Sequence, residues 1–239
     1  MIHSRLSTVI LLIGACASLT HAATILSESF DNITTLASAG WVQTNKSSPL
    51  GTTDWFQGNT AVFEAEGGPI NSYIAANFNN AGFEGNISNW LLTPMLTFNN
   101  LDVLSFFTRT ETPVDFPDRL EVRLSSSGAS TNVGDTDSSV GDFTSLLLSI
   151  NPTLAPSGYP ETWTNYLVTL SGLVGPTSGR LAFRYFVTDP SINGNYIGID
   201  TVSVSSDAAP AIPEPSTVIL SLIGLGSLMA IRGISKGKS

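Results

Sequence analysis

The 239-residue chain contains one cysteine, Cys16, and two histidines, His3 and His21, and all three fall within the first 22 residues. Those residues read as a secretory leader. Arg5 supplies a basic start, residues 6–19 are mostly apolar, and Thr20-His21-Ala22 places small side chains at the positions a signal peptidase reads, so a cut after Ala22 or Ala23 is expected. The mature chain then has neither imidazole nor thiol. Ser-His-Asp and Cys-His catalysis, thiolate or imidazole metal sites and disulfides are excluded together. Charge is scarce as well. Only 12% of residues are charged, and 10 Lys plus Arg stand against 19 Asp plus Glu, a net charge of −9 that repels phosphate backbones. Nucleic acid is thereby excluded as a partner. There is no Gly-rich phosphate loop, no internal repeat and no helix-period pattern of useful length between residues 24 and 205.

Period-two alternation is what that stretch holds. In residues 119–125, Leu120, Val122 and Leu124 share one face, while Arg119, Glu121 and Arg123 share the other. Residues 179–188 repeat the pattern, with Leu181, Phe183, Tyr185 and Val187 expected inward and Arg180 and Arg184 outward. Further strands are expected at 24–30, 61–65, 103–110, 166–170 and 196–204. Many short strands between Gly, Pro, Asn and Ser-rich turns predict an all-β fold, a two-sheet antiparallel jelly-roll sandwich over residues 24–206.

Both ends of the chain carry sorting information. Ile13-Gly14-Ala15-Cys16 resembles a bacterial lipobox, in which Cys16 would become the lipidated first residue; Gly14, the short apolar stretch and the acceptable later cut favour a plain leader. After a linker at 207–212 come Pro213-Glu214-Pro215, the 14 apolar residues 218–231, and the cations Arg232, Lys236 and Lys238. Fourteen residues make about 21 Å of helix against a hydrocarbon core of about 30 Å, so a span over 217–233 needs snorkelling cations at its end. Residues 213–239 are similar to the PEP-CTERM sorting signal. That resemblance implies recognition near Pro213-Glu214-Pro215 by an exosortase-type membrane enzyme, in organisms that make extracellular polysaccharide.

The order of landmarks between the ends resembles the choice-of-anchor J family, a relative of the cleaved-adhesin and MAM-like jelly rolls. The landmarks are Glu28-Ser29-Phe30-Asp31, Gly40-Trp41, Asp54-Trp55-Phe56 and Asn89-Trp90-Leu91-Leu92-Thr93-Pro94, then Asp118-Arg119-Leu120-Glu121-Val122, Trp163, Phe183-Arg184-Tyr185 and Tyr196-Ile197-Gly198-Ile199-Asp200-Thr201-Val202. The resemblance implies a fold and a surface location, with no reaction attached.

Glu28, Asp31 and Asp200 meet if the first and last strands lie together, and relatives hold a structural calcium at that point; the alternative is three solvated acids on strand ends. Ile197 and Ile199 share one phase and Val202 and Val204 the other, which predicts a bulge near Asp200 and Thr201. Asp135, Asp137 and Asp142 in the Gly/Ser-rich stretch 125–141 open like a calcium loop but lack its bidentate Glu, and read as a solvated hairpin. Glu64 and Glu66 fall on one face of the expected 61–65 strand, the spacing a glycosidase pair could use. Trp41, Trp55, Trp90 and Trp163 are readable as sugar platforms or as core, with core favoured. The expectation is a non-catalytic adhesion or matrix module with extracellular polysaccharide as a candidate partner; the alternatives are a carbohydrate-binding module proper and a divergent jelly-roll glycosidase.

Overall fold

A computed structural model describes residues 22–206. The strands are β1 (Ala23–Glu28), β2 (Val42–Asn45), β3 (Ser48–Leu50), β4 (Phe56–Gln57), β5 (Ile74–Asn77), β6 (Ala81–Leu92), β7 (Leu96–Phe98), β8 (Val103–Thr110), β9 (Leu120–Ser125), β10 (Ser145–Ile150), β11 (Thr164–Thr169), β12 (Thr177–Thr188) and β13 (Tyr196–Ser206). All pairings are antiparallel. One sheet runs β11-β8-β13-β5-β4, with β1 also on β13; the other runs β10-β9-β12-β6-β2, with β3 on β6 and β7 on β12. Stacked face to face, they form the two-sheet sandwich that the alternation predicts.

The core lies between the sheets. Leu104 and Phe106 of β8, Leu120, Val122 and Leu124 of β9, Leu181, Phe183, Tyr185 and Val187 of β12, and Ile197 and Ile199 of β13 are all buried in it. Phe106 meets Phe183 edge-on across the two sheets, centroids 5.0 Å apart. With no disulfide available, this burial, roughly 1.5–3 kcal/mol for each large side chain, is what holds the fold.

Each sheet also carries a cover on its outer face, and the covers correct three expectations. Residues 61–65 are not a strand. The apolar spacing there reflects packing: Val62, Phe63 and Ala65 lie in a loop on the outer face of the β13 sheet, where Phe63 stacks on Tyr73 at 5.0 Å and meets Tyr196 and Trp163 edge-on. Gly198 of β13 is required beneath this cover, because a Cβ there would approach Phe63, Trp163 and Tyr73 to 2.9 Å. The second correction concerns Arg184, which points away from the core yet is only 1% exposed. It donates to Ser88 Oγ, to Glu121 Oε2 and to the Asp137 carbonyl, and its guanidinium lies 3.7 Å from the Phe186 centroid. The cover over it is the stretch 126–144, which is the third correction. Instead of a solvated hairpin, that stretch packs Val133 and Phe143 against Trp90, Leu92 and Ala182 of β6 and β12. Asp142 accepts from Ser130 Oγ at 2.6 Å and braces the cover itself, and Asp137 accepts from Asn86 Nδ2 at 2.9 Å and ties the cover to β6.

The leader's apolar stretch with Cys16, the linker at 207–212, Pro213-Glu214-Pro215 and the apolar run 217–233 lie outside the described residues. Among the described residues, no helix is long and apolar enough to cross a membrane. Ala22 and Ala23 are exposed, and β1 starts at Ala23.

Candidate functional site

β1 and β13 pair directly, with Leu26 opposite Val204 and Glu28 opposite Val202. The register of β13 against β8 shifts between Asp200 and Ser203, and Thr201 takes φ +49°. The bulge thus falls where the phase change in the sequence locates it. Alternation from Ile197 and Ile199 already sets Asp200 on the outer face, opposite Phe107, and the bulge after it returns Val202 to the core.

Asp200 is fully buried there. Its Oδ2 accepts from the backbone N–H groups of Glu66 and Gly67 at 2.9 and 3.3 Å, and its Oδ1 accepts the Thr201 N–H at 2.6 Å and the Thr201 hydroxyl at 3.3 Å. Three backbone N–H groups, and a hydroxyl proton shared with Glu66, engage the lone pairs a carboxylate offers. Burial still outweighs them, and the group is pushed up to about 6. Asp31 is exposed and its Oδ1 accepts from Ser72 Oγ at 2.8 Å, whereas Glu28 caps the strand end by accepting the Phe30 N–H at 2.8 Å. The loop after Glu66 links these acids: Gly67 reaches Asp200, and a Cβ on Gly68 would lie 3.3 Å from Asp31 Oδ1. The three acids are neighbours along the β1–β13 junction, but among the described residues no three His, Cys, Asp or Glu side chains converge as a metal-holding group.

Glu64 and Glu66 sit in the 58–72 loop and do not form a facing pair. The Glu64 carbonyl accepts from Trp163 Nε1, and Glu66 Oε2 accepts the Thr201 hydroxyl. Trp41, Trp55 and Trp90 are buried, and half-buried Trp163 packs against Phe63 and Tyr73. The tryptophans are packing residues. Asp135 and Asp137 line an open polar trough of about 470 Å³ with Asn45, Lys46, Ser47 and Thr136.

The exposed aromatic surface comes from phenylalanines that the alternation does not single out. Phe78 stands in the 3-10 turn after β5, 48% exposed. Phe83 lies in the first half of β6, where the register against β3 shifts between Ser48 and Leu50 and Glu84 takes φ +63°, and it is 84% exposed. Phe116, in the β8–β9 loop, is 42% exposed. With Pro190, Ser191, Gly194 and Asn195 of the β12–β13 turn, the three rings enclose a cleft of about 260 Å³. A second hollow of about 160 Å³ shares Phe78, Phe83 and Pro190. The signal in the sequence is local: each ring is set among Asn, Asp, Glu, Gly or Pro instead of alternating with other apolar residues.

A buried acid fixes the floor of this cleft. Asp118 Oδ1 accepts the Tyr185 hydroxyl at 2.6 Å and the Asn195 N–H at 2.8 Å, while Thr110 Oγ1 lies 2.6 Å from Oδ2. The Gly194 N–H donates to the Pro117 carbonyl at 2.7 Å. Gly194 has φ +79°, and an added Cβ would press on Tyr185, Val187 and Ile87 at 3.2–3.3 Å. The turn is therefore seated on the sandwich, and it holds one of the ring-bearing segments directly, since the Phe78 N–H donates to the Asn195 carbonyl at 3.0 Å.

No family model matches the chain, and no curated protein matches it. Among solved structures, the K1 cleaved adhesin domain of Lys-gingipain from Porphyromonas gingivalis W83 aligns at 24% identity with a TM-score of 0.53, over 78% of this chain and 99% of that one. The K3 cleaved adhesin domain of the same protein aligns at 20% identity and a TM-score of 0.49, over 78% and 99%. The CBM22-1 xylan-binding domain of Paenibacillus barcinonensis Xyn10C aligns at 12% identity and a TM-score of 0.42, over 80% and 100%. The likeness to the K1 domain establishes the fold: residues 22–206 are a β-sandwich of the kind a cleaved adhesin domain has.

Proposed function

We propose that the chain is an exported, non-catalytic adhesion or matrix module, delivered by signal peptidase and sorted by an exosortase-type enzyme through Pro213-Glu214-Pro215. The observation that carries this reading is the polarity of the sandwich. β1 and β13 bring Ala23 opposite Ser206, so the described chain begins and ends at one place. β13 starts at Tyr196, beside the aromatic cleft, and its 11 residues extend roughly 30 Å before Ser206. Residues 22–206 therefore hold the cleft at the opposite end of β13 from the point where the described chain begins and ends. The mature sequence supports a binding role over a catalytic one, since it has no imidazole or thiol and the Glu66 carboxylate is engaged by the Thr201 hydroxyl.

Calcium at the β1–β13 junction belongs to this proposal. Asp200 fits a supporting role better than a ligand's, because three backbone N–H groups already occupy it, two of them from the Glu66–Gly67 backbone. Glu28 and Asp31, with backbone carbonyls, are the oxygens a hard cation would draw on.

The sorting step is testable at Glu214, which stands between Pro213 and Pro215 in the sequence. Glu214→Ala should leave the melting temperature of the exported protein unchanged while the tail stays uncut in the membrane fraction, as read by intact mass. Normal tail removal in the variant refutes recognition at this residue.

A further inference from the structure

We infer that the Phe78, Phe83 and Phe116 cleft takes pyranose rings of a neutral extracellular polysaccharide. The inference rests on the extracellular reading above and adds the site and the ligand class.

Three phenyl rings left 42–84% exposed around one hollow are an unfinished burial. Each forfeits part of the roughly 1.5–3 kcal/mol that covering a Phe side chain supplies, and nothing in residues 22–206 covers them. The rings do not form an oily patch. Ser191, in the same lining, donates its hydroxyl proton to Asp189 and keeps its oxygen as an acceptor, and Asn195, at the floor, donates its side-chain amide to Glu111. Flat apolar faces with a hydroxyl and an amide in the lining, and carboxylates just outside it, match a sugar ring, which has a C–H face and a hydroxyl edge.

Charge selects among the sugars and against other occupants. Glu84 adjoins Phe83, Asp115 adjoins Phe116, Asp189 adjoins Pro190 and Glu111 holds Asn195, while the lining itself contains no Lys or Arg. Acids within a Debye length of about 8 Å repel uronates, sulfated glycans and anionic lipid surfaces. They also accept hydrogen bonds from hydroxyls, which a neutral glycan supplies in quantity. The adjoining hollow shares Phe78, Phe83 and Pro190, so the surface continues past one ring, as a chain ligand requires. Finally, the base is preformed: the Asn195 and Gly194 backbone groups are tied to Asp118 and Pro117, and binding need not order the turn first.

The test is affinity electrophoresis of the exported protein in gels holding xylan, galactomannan or mixed-linkage β-glucan, with alginate and polygalacturonate as acidic counterparts. At least one neutral polysaccharide should retard the protein and neither acidic one should. Phe83→Ala and Phe116→Ala should each weaken that retardation about tenfold or more, and Phe83→Ala, at a position 84% exposed, should leave the melting temperature unchanged. Retardation by acidic glycans alone, retardation insensitive to both substitutions, or none in any gel overturns the inference. So does a Phe83-dependent dimer in solution, which would assign the rings to a second copy. Sorting of Glu214→Ala is read without any glycan, so failure here leaves the export reading intact, and failure there leaves the binding result standing.

Discussion

A carboxyl group with no solvent contact is costly when charged, and Asp118 shows how its neighbours resolve that cost. Thr110 Oγ1 has one proton and two acceptors within reach, Asp118 Oδ2 at 2.6 Å and the Tyr196 carbonyl at 2.9 Å. If Asp118 carries a proton, it donates to Thr110, Thr110 donates to Tyr196, and each group is satisfied. Burial pushes Asp118 up to about 6, helped by the nearby Glu111 charge and opposed by hydrogen bonds from Asn195, Thr110 and Tyr185. Because the folded value lies above the unfolded one of 3.8, the added stability is fully present below about 4 and is lost as pH rises through about 6. A shift of that size corresponds to about 3 kcal/mol. Asp118→Asn, whose amide can donate to Thr110 as the acid does, should flatten this part of the profile. Thermal unfolding between pH 4 and pH 7 reads it: the wild type should lose more stability with rising pH than the variant, and parallel profiles would contradict the assignment. Nothing in Asp118-Arg119-Leu120 discloses this role, because it depends on residues 110, 185 and 195, which only the fold assembles.

Legibility varied among elements according to how many of their faces are covered. β8 alternates buried with half-buried residues, so its period-two pattern matches its span in the sequence. β6 is buried on both faces from Ile87 to Leu92, has no period two to find, and is missed although it is one of the longest strands. Arg184 was expected outward on correct alternation, but the cover of residues 126–144 has no signal of its own in the sequence. At the β1–β13 junction the bulge is legible in the phase change of β13, whereas the pairing enters the sequence only as the condition for Glu28, Asp31 and Asp200 to meet, and the engagement of Asp200 by a loop 134 residues away has no signal there. This junction is where calcium can be tested. At about 100 times its dissociation constant, a cation binding only the folded state adds roughly 2.7 kcal/mol, a melting shift on the order of 5–10 °C for a domain of this size. Asp31→Ala should abolish the shift, whereas Asp200→Ala should lower the melting temperature with calcium and with chelator alike. Equal melting temperatures of the wild type with calcium and with chelator would remove the cation from the account.

At the scale of the whole molecule, the antiparallel topology separates two tasks. Residues 183 positions apart in sequence, Ala23 and Ser206, meet at one end, and the β5–β6, β8–β9 and β12–β13 connections gather three exposed rings into one cleft. The sequence motifs at both ends point to export and sorting; the cleft is invisible in them, because Phe78, Phe83 and Phe116 become neighbours only through strand order. The central claim is that the protein is exported and presents this cleft outward. Its most direct test uses the absence of cysteine after the leader: Phe83→Cys places a single thiol at a position 84% exposed, to be labelled with a membrane-impermeant maleimide on intact cells and in the matrix fraction. The account predicts labelling of the variant before lysis and none of the wild type. Labelling that appears only after the cells are broken would contradict it.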